Sequence, residues 1–230
     1  MLSSMPYRVL ATDYDGTLAA DGCVAAHTVA ALEELRAAEC RLVLVTGRRL
    51  DDLAAAFPSA ARFDVIIGEN GATMWRPGAG ERLLAEPPPP ALPALLRERG
   101  VPFVAGRVVV ATWQPHEPAV RRAIADLGAT VDVILNNESL MVLPRGVDKR
   151  SGLLAALARL GLELAETVAI GDAENDEVML RSAGCGVAVA NALPSVMAAA
   201  DVVTVGARGA GVEEIARRLL AGELPPPFPR

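Results

Sequence analysis

Short apolar runs that alternate with helical patterns constrain this chain more than any other feature. Residues 8–12 (RVLAT), 41–45 (RLVLV), 64–67 (DVII) and 167–170 (TVAI) read as buried strands. Between the first two, Val29, Leu32 and Leu35 recur at helical spacing; Leu50, Leu53 and Phe57 do so after the second. Leu153, Leu154, Leu157 and Leu160 mark a further helix, which Gly161 stops. A short helix at 178–181, strands at 186–189 and 202–205, and a helix at 212–220 close the chain. This order predicts an α/β fold, a doubly wound parallel sheet with crossover helices.

The middle of the chain breaks the pattern. Four consecutive prolines, 87–90, can continue neither a helix nor a central strand. Beyond them come a short helix (94–99), a strand (104–112), and a helix opened by Pro118 with Val120, Ile124 and Leu127 on one face. Two strands, 130–135 and 139–143, then flank the polar turn Asn136-Asn137-Glu138. An α-β-α-β-β order of this kind predicts a small α+β module inserted at 83–147 into a core formed by 1–82 and 148–230. The last residues, 224–230 (LPPPFPR), read as a flexible, Pro-rich tail.

At 52% hydrophobic, 230 residues can bury a substantial core, built from Ala, Val, Leu and Ile because only 3% are aromatic. The formal charge of −6 argues against nucleic acid, which would need clustered Lys and Arg. No run approaches the roughly 18 apolar residues of a membrane span, and no secretory signal is expected at the amino terminus. Cys23, Cys40 and Cys185 are widely spaced and odd in number, so a reduced, cytoplasmic protein is expected. Cys23 and His27 stand four apart, without a second such pair to complete a zinc site. Oligomeric state has no signature here.

The polar residues that matter fall at strand ends, where open α/β sheets bind ligands. Asp13-Tyr14-Asp15-Gly16-Thr17-Leu18 follows the first strand, and Gly16 allows a sharp turn away. A calcium EF-hand fails on spacing, since the twelfth position from Asp13 is Val24. Thr46-Gly47-Arg48 follows the second strand. Gly171-Asp172-Ala173-Glu174-Asn175-Asp176 follows the 167–170 strand, and Lys149 precedes the Leu153 helix. Carboxylates so assembled repel one another unless a hard cation joins them, and oxygen-only ligands with room for water and phosphate point to Mg²⁺.

These motifs closely resemble the haloacid dehalogenase-like superfamily, and within it the Cof-type, subclass IIB phosphatases. DYDGTL matches the family's first motif, TGR (46–48) its second, Lys149 in GVDKRSGL its third, and GDAENDEVML from Gly171 its fourth. IIGENGA (66–72) and ANALPSVMAAADVVT (190–204) are also typical of Cof-type members. The resemblance implies a Mg²⁺-dependent phosphomonoesterase of a small phosphorylated metabolite, such as a sugar phosphate or phosphoglycolate. It implies that Asp13 attacks phosphorus to form an aspartyl-phosphate and that Asp15 serves as acid and base. Mg²⁺ would be held by Asp13, the Asp15 carbonyl and Asp172, with Asp176 as a ligand or just behind them. Thr46, Gly47, Lys149 and Asn175 would hold the phosphoryl oxygens.

The insertion occupies the place of a Cof-type cap, which would exclude water and set substrate choice. Arg107, Trp113, Asn136 and Arg145 are candidate cap contacts. Its short length resembles the phosphoglycolate and mannosyl-phosphoglycerate phosphatases. A related phosphosugar mutase, and a receiver-like module phosphorylated on Asp13 without turnover, are the alternatives; Asp15 weighs against the latter. Arg48 and Asn70 are expected to be structural, with a direct substrate role as the lesser reading; Asn175 contacts phosphate or orients Asp172. His27 and His116 are expected at the surface, and GARGAG (206–211) reads as a turn because it lacks GK[ST].

Overall fold

The computed structural model describes residues 6–136 and 138–227. The strands are β1 (Val9–Thr12), β2 (Arg41–Val45), β3 (Val65–Gly68), β4 (Thr73–Arg76), β5 (Gly80–Leu83), β6 (Val104–Ala105), β7 (Val110–Trp113), β8 (Val131–Asn136), β9 (Ser139–Pro144), β10 (Thr167–Gly171), β11 (Cys185–Ala188) and β12 (Val202–Val203). The helices are α1 (Ala26–Ala37), α2 (Leu50–Ala56), α3 (Ala91–Glu98), α4 (Glu117–Leu127), α5 (Lys149–Leu160), α6 (Glu177–Leu180), α7 (Pro194–Ala199) and α8 (Gly209–Ala221).

An eight-stranded sheet runs in the order β12-β11-β10-β1-β2-β3-β4-β5. Its first six strands are parallel, and β1, β3, β10 and β11 are buried along their whole length, as near-continuous apolar runs require. The α/β expectation holds. The sequence reading missed the antiparallel hairpin β4–β5 that extends the sheet, although Pro77-Gly78 supplies turn chemistry between the two strands. Helix α5 lies against β2, β3 and β4, and α1 packs on α8.

A second, four-stranded antiparallel sheet, β6-β7-β9-β8, carries α3 and α4 and has its own apolar core, including Leu92, Leu96, Val120, Leu140 and Val142. Two expectations are corrected here. The order is α-β-β-α-β-β, because the single strand expected over 104–112 is broken into β6 and β7. The break at 106–109 has a physical cause, since the amides of Arg107, Val108 and Val109 turn to a carboxylate outside their own sheet.

The expected flexible tail is anchored where it begins: Leu224 is buried in the main core, and the Tyr7 hydroxyl donates to Pro225 O at 2.6 Å. Residues 228–230 of that tail, residues 1–5 of the amino terminus and Asn137 of the β8–β9 turn lie outside the described residues. Gly209 to Gly211 form the first turn of α8, so only the first half of GARGAG is a turn. Among the described residues, Cys23, Cys40 and Cys185 are not joined in disulfides. Among the described residues, no helix is long and apolar enough to cross a membrane.

Candidate active site

β1 and β10 are paired neighbours at the centre of the sheet, which brings Asp13 and Asp172 out of adjacent strand ends. The Asp13 amide donates to Ile170 O at 3.0 Å, so the chain stays in sheet register until the carboxylate emerges. Gly16 then turns with φ +81°, and a Cβ there would collide with Asp172 Oδ2. Thr17 closes the turn by donating its hydroxyl to Asp172 Oδ1 at 2.7 Å.

Lys149 comes from the opposite direction. The Asp148 carboxylate caps α5 by accepting from the Ser151 amide at 2.7 Å, and the Ser151 hydroxyl accepts from the Asp148 amide at 3.0 Å. Gly71 and Gly152 let this helix start pack closely on the loop after β3: a side chain at Gly71 would strike Asp148 O, and one at Gly152 would strike Ile67 and Gly71. Lys149, 1% exposed, thereby reaches Asp13 Oδ1 and Asp176 Oδ1, each at 2.6 Å. The second Asp176 oxygen accepts from the amides of Asp172 and Ala173 at 3.0 and 3.1 Å, so Asp176 ties the loop to the lysine.

Charge in this cluster is unbalanced. Asp13, Asp172 and Asp176 are buried, with ligand oxygens within 4.8 Å of one another, facing a single ammonium. Burial pushes Asp13 well above the usual carboxylate range, against the pull of Lys149 and with help from Asp176 and Asp172. Asp172 is pushed up to about 6, chiefly by burial, with the Thr17 hydrogen bond opposing it. Burial also disfavours the charge on Lys149, but Asp13 and Asp176 outweigh it and raise its pKa. Three oxygen donors with a deficit of positive charge fit a hard divalent cation.

The remaining sequence candidates divide. Asp15 points away from this cluster, its side chain 48% exposed, and its two oxygens accept from Arg48 Nε and Nη2 at 2.7 and 2.6 Å. Arg48 also stacks 5.0 Å over the Tyr14 ring. This contact between two motifs had no signal in either one. Thr46 is buried, its hydroxyl accepting from the Arg48 amide at 3.1 Å and its carbonyl from the Asn70 amide at 2.9 Å. Asn175 does not turn to Asp172: it donates to Asn70 Oδ1 at 2.8 Å, leaving Asn70 Nδ2 and Asn175 Oδ1 buried without partners.

The second sheet covers this edge. A side chain at Gly47 would come within 3.7 Å of Met141 Sδ and 4.0 Å of Asn136 Nδ2, which places the β8–β9 tip over the TGR loop. Asn136 was among the expected cap contacts, and Met141 was not. Of the other three, Arg107 faces Glu81 at 3.4 Å and Arg145 faces Asp132 at 3.9 Å, while Trp113, 47% exposed, pairs with Ser139 at the same sheet end as Asn136.

Glu69 was also missed as an individual residue, though it lies within IIGENGA. Its buried carboxylate accepts from the amides of Arg107, Val108 and Val109 at 2.7, 2.7 and 2.8 Å and so bolts the second sheet to the first. Glu69 and Asn70 adopt φ of 48° and 56°, an unfavourable backbone for non-glycine residues that aims this carboxylate out of its own loop. Its only signal was a charged residue in an otherwise apolar strand end. Glu69→Gln keeps the shape but has one accepting oxygen, so amide exchange at 107–109 is expected to accelerate by about tenfold or more. Unchanged protection by exchange mass spectrometry would show that these bonds do not hold the sheet in place.

Comparison with known proteins agrees with this geometry. A family model described as haloacid dehalogenase-like hydrolase matches residues 10–87 and 123–215. A phosphoglycolate phosphatase of Methanothermobacter thermautotrophicus is 31% identical over 220 residues, covering 93% of this chain and 99% of its own. A solved structure from Thermoplasma acidophilum superposes with a TM-score of 0.79 at 18% identity, covering 93% of this chain and 98% of its own. The structure of a haloacid dehalogenase subclass IIB sugar phosphatase does so with a TM-score of 0.76 at 23% identity, covering 94% and 100%.

Proposed function

Since this chain belongs to the haloacid dehalogenase-like hydrolases, we propose that it is a Mg²⁺-dependent phosphomonoesterase of a small phosphorylated metabolite. The observation that carries this reading is the buried Lys149–Asp13–Asp176 arrangement beside Asp172 at the sheet edge. An anionic nucleophile can approach an anionic phosphate only where positive charge is concentrated. Asp13, Asp172 and the Asp15 carbonyl would hold Mg²⁺, which when bound supplies the charge that the three carboxylates lack.

Asp13 attacks phosphorus in line; its O–P bond forms as the ester P–O bond breaks, giving an aspartyl-phosphate. Asp15 gives a proton to the departing alkoxide, then takes one from the water that attacks phosphorus and frees Asp13. In this geometry Arg48 holds both Asp15 oxygens, so proton transfer requires the guanidinium to yield one of them to the leaving oxygen. Lys149, Thr46, the Gly47 amide and Asn175 steady the phosphoryl oxygens. The β8–β9 tip over Gly47 excludes water and meets the leaving group as the cap, residues 83–147.

A short cap, and the 31% identity over nearly full length with a phosphoglycolate phosphatase, favour a small phosphorylated hydroxy acid over a hexose phosphate. Three cysteines not joined in disulfides among the described residues support a reducing compartment such as the cytoplasm. The test is phosphate release from p-nitrophenyl phosphate, phosphoglycolate and hexose phosphates, with Mg²⁺ and with EDTA. Release from phosphoglycolate that EDTA abolishes is expected. Release indifferent to EDTA removes the metal from the reading, and no release from any ester removes the phosphatase.

Metal binding should also depend on pH. A cation must displace the proton of Asp172, whose pKa in the metal-free fold is about 6. Mg²⁺ affinity is therefore expected to weaken as pH falls through that value, by up to about tenfold per unit for each proton displaced, with the raised carboxyl of Asp13 adding to the dependence. Calorimetry between pH 5 and 8 checks this, and a flat profile refutes it.

A further inference from the structure

Away from the catalytic cluster, one cavity gathers arginines without acids. It has a volume of about 170 Å³ and is lined by Met74, Arg76, Ala79, Gly80, Arg82 and Arg159. In the β4–β5 hairpin, Met74 pairs with Arg82 and Arg76 with Gly80. Alternation along the strands puts Met74, Arg76 and Arg82 on one sheet face, and Gly80, opposite Arg76, adds no side chain there and has open space around it. Arg159, in the last turn of α5, closes the third side. The nearby acid, Glu81, belongs to the other face and pairs with Arg107.

Most other arginines of the described chain face a carboxylate within 4 Å, as Arg8, Arg41, Arg48 and Arg62 do. Among the described residues none of these three has one, and Arg76 Nε is buried with no acceptor there. A buried cationic donor without a partner is costly, and three like charges around one hollow repel; a bound anion relieves both. The volume falls below that of drug-sized ligand sites, which run from roughly 300 Å³ upward, so the ligand is small.

We propose that the Arg76–Arg82–Arg159 cavity is a second anion site that takes one dianionic phosphate group, free or carried on a small ester. It is separate from the reaction centre: ten residues of α5 part Arg159 from Lys149, roughly 15 Å of helix. The proposal does not rest on the hydrolytic reading.

In the catalytic cluster without metal the one ammonium is already taken by Asp13 and Asp176, beside Asp172, so metal-free protein reports the arginine cavity. Calorimetric titration with inorganic phosphate in EDTA, at constant ionic strength, is expected to show one site per chain. The variant R82A/R159A, altered at two exposed positions, should bind at least about tenfold more weakly while melting as the parent does. Parallel titration with glycerol phosphate names the source, since the tighter of the two probes is the form the site takes. Binding that the double variant retains, binding that chloride at equal ionic strength reproduces, or no binding by the parent overturns the proposal.

Discussion

Asp13→Asn is expected to abolish phosphate release while leaving a metal-free fold at least as stable as the parent. The substitution keeps the shape of the side chain and removes the nucleophilic oxygen anion, so kcat should fall by about 10⁴-fold or more. Stability moves the other way. Burial holds the Asp13 carboxyl well above its ordinary value of 3.8, so the metal-free folded chain binds that proton more tightly than the unfolded chain does. Stability from this group is then greatest at low pH and is lost as pH rises toward the folded pKa. Asparagine cannot ionise and escapes that loss. Melting curves in EDTA should show the variant's advantage appearing above about pH 4 and growing with pH, alongside the phosphate-release assay. Substantial residual turnover would assign the nucleophile elsewhere; a collapsed fold would mean that the Lys149–Asp13 pair is worth more than the burial it costs.

Removing the lysine has the largest expected effect on stability. Lys149→Met takes away the one ammonium that faces Asp13 and Asp176, and it does so at a site 1% exposed. Breaking a buried pair from one side leaves uncompensated charge and costs about 3–5 kcal/mol. For a chain of this size that lowers the metal-free Tm by roughly 6–20 °C. Activity should also disappear, because the phosphoryl oxygens lose their partner. Divalent cation should restore part of the Tm, since it binds only the folded cluster and supplies the missing charge. A Tm unchanged in EDTA would show that the carboxylates take up protons at little cost in place of the lysine.

The two variants separate charge from shape. Both lose activity, yet one is expected to relieve the metal-free site and the other to overload it. A scaffold explanation of the cluster predicts destabilisation by both.

Much of this was legible along the chain. The apolar runs at 8–12, 41–45, 64–67 and 167–170 became buried parallel strands within a residue of their expected ends, because burial on both faces leaves no room for polar residues. Gly161 and Gly16 stop and turn the chain by backbone conformation, a property carried by single residues. The break at Gly106 was not legible, for the acceptor of its neighbouring amides, Glu69, lies nearly forty residues earlier. The same holds for Arg48 on Asp15 and for Asn175 on Asn70. Side chains from separate loops choose partners only once the sheet has set their distance.

The sequence by itself determined the strand–helix alternation, the placing of Asp13, Thr46 and Asp172 at strand ends, and the change to an α+β pattern in the middle of the chain. These follow from periodicity and turn chemistry, which act over a few residues. Only the tertiary structure decided that Lys149 would bridge Asp13 and Asp176, that Arg48 would hold Asp15, and that Glu69 would fasten one sheet to the other. Those are electrostatic choices among many acids and bases. They are settled by burial, which makes an unpaired charge too costly to leave and so selects the one partner within reach.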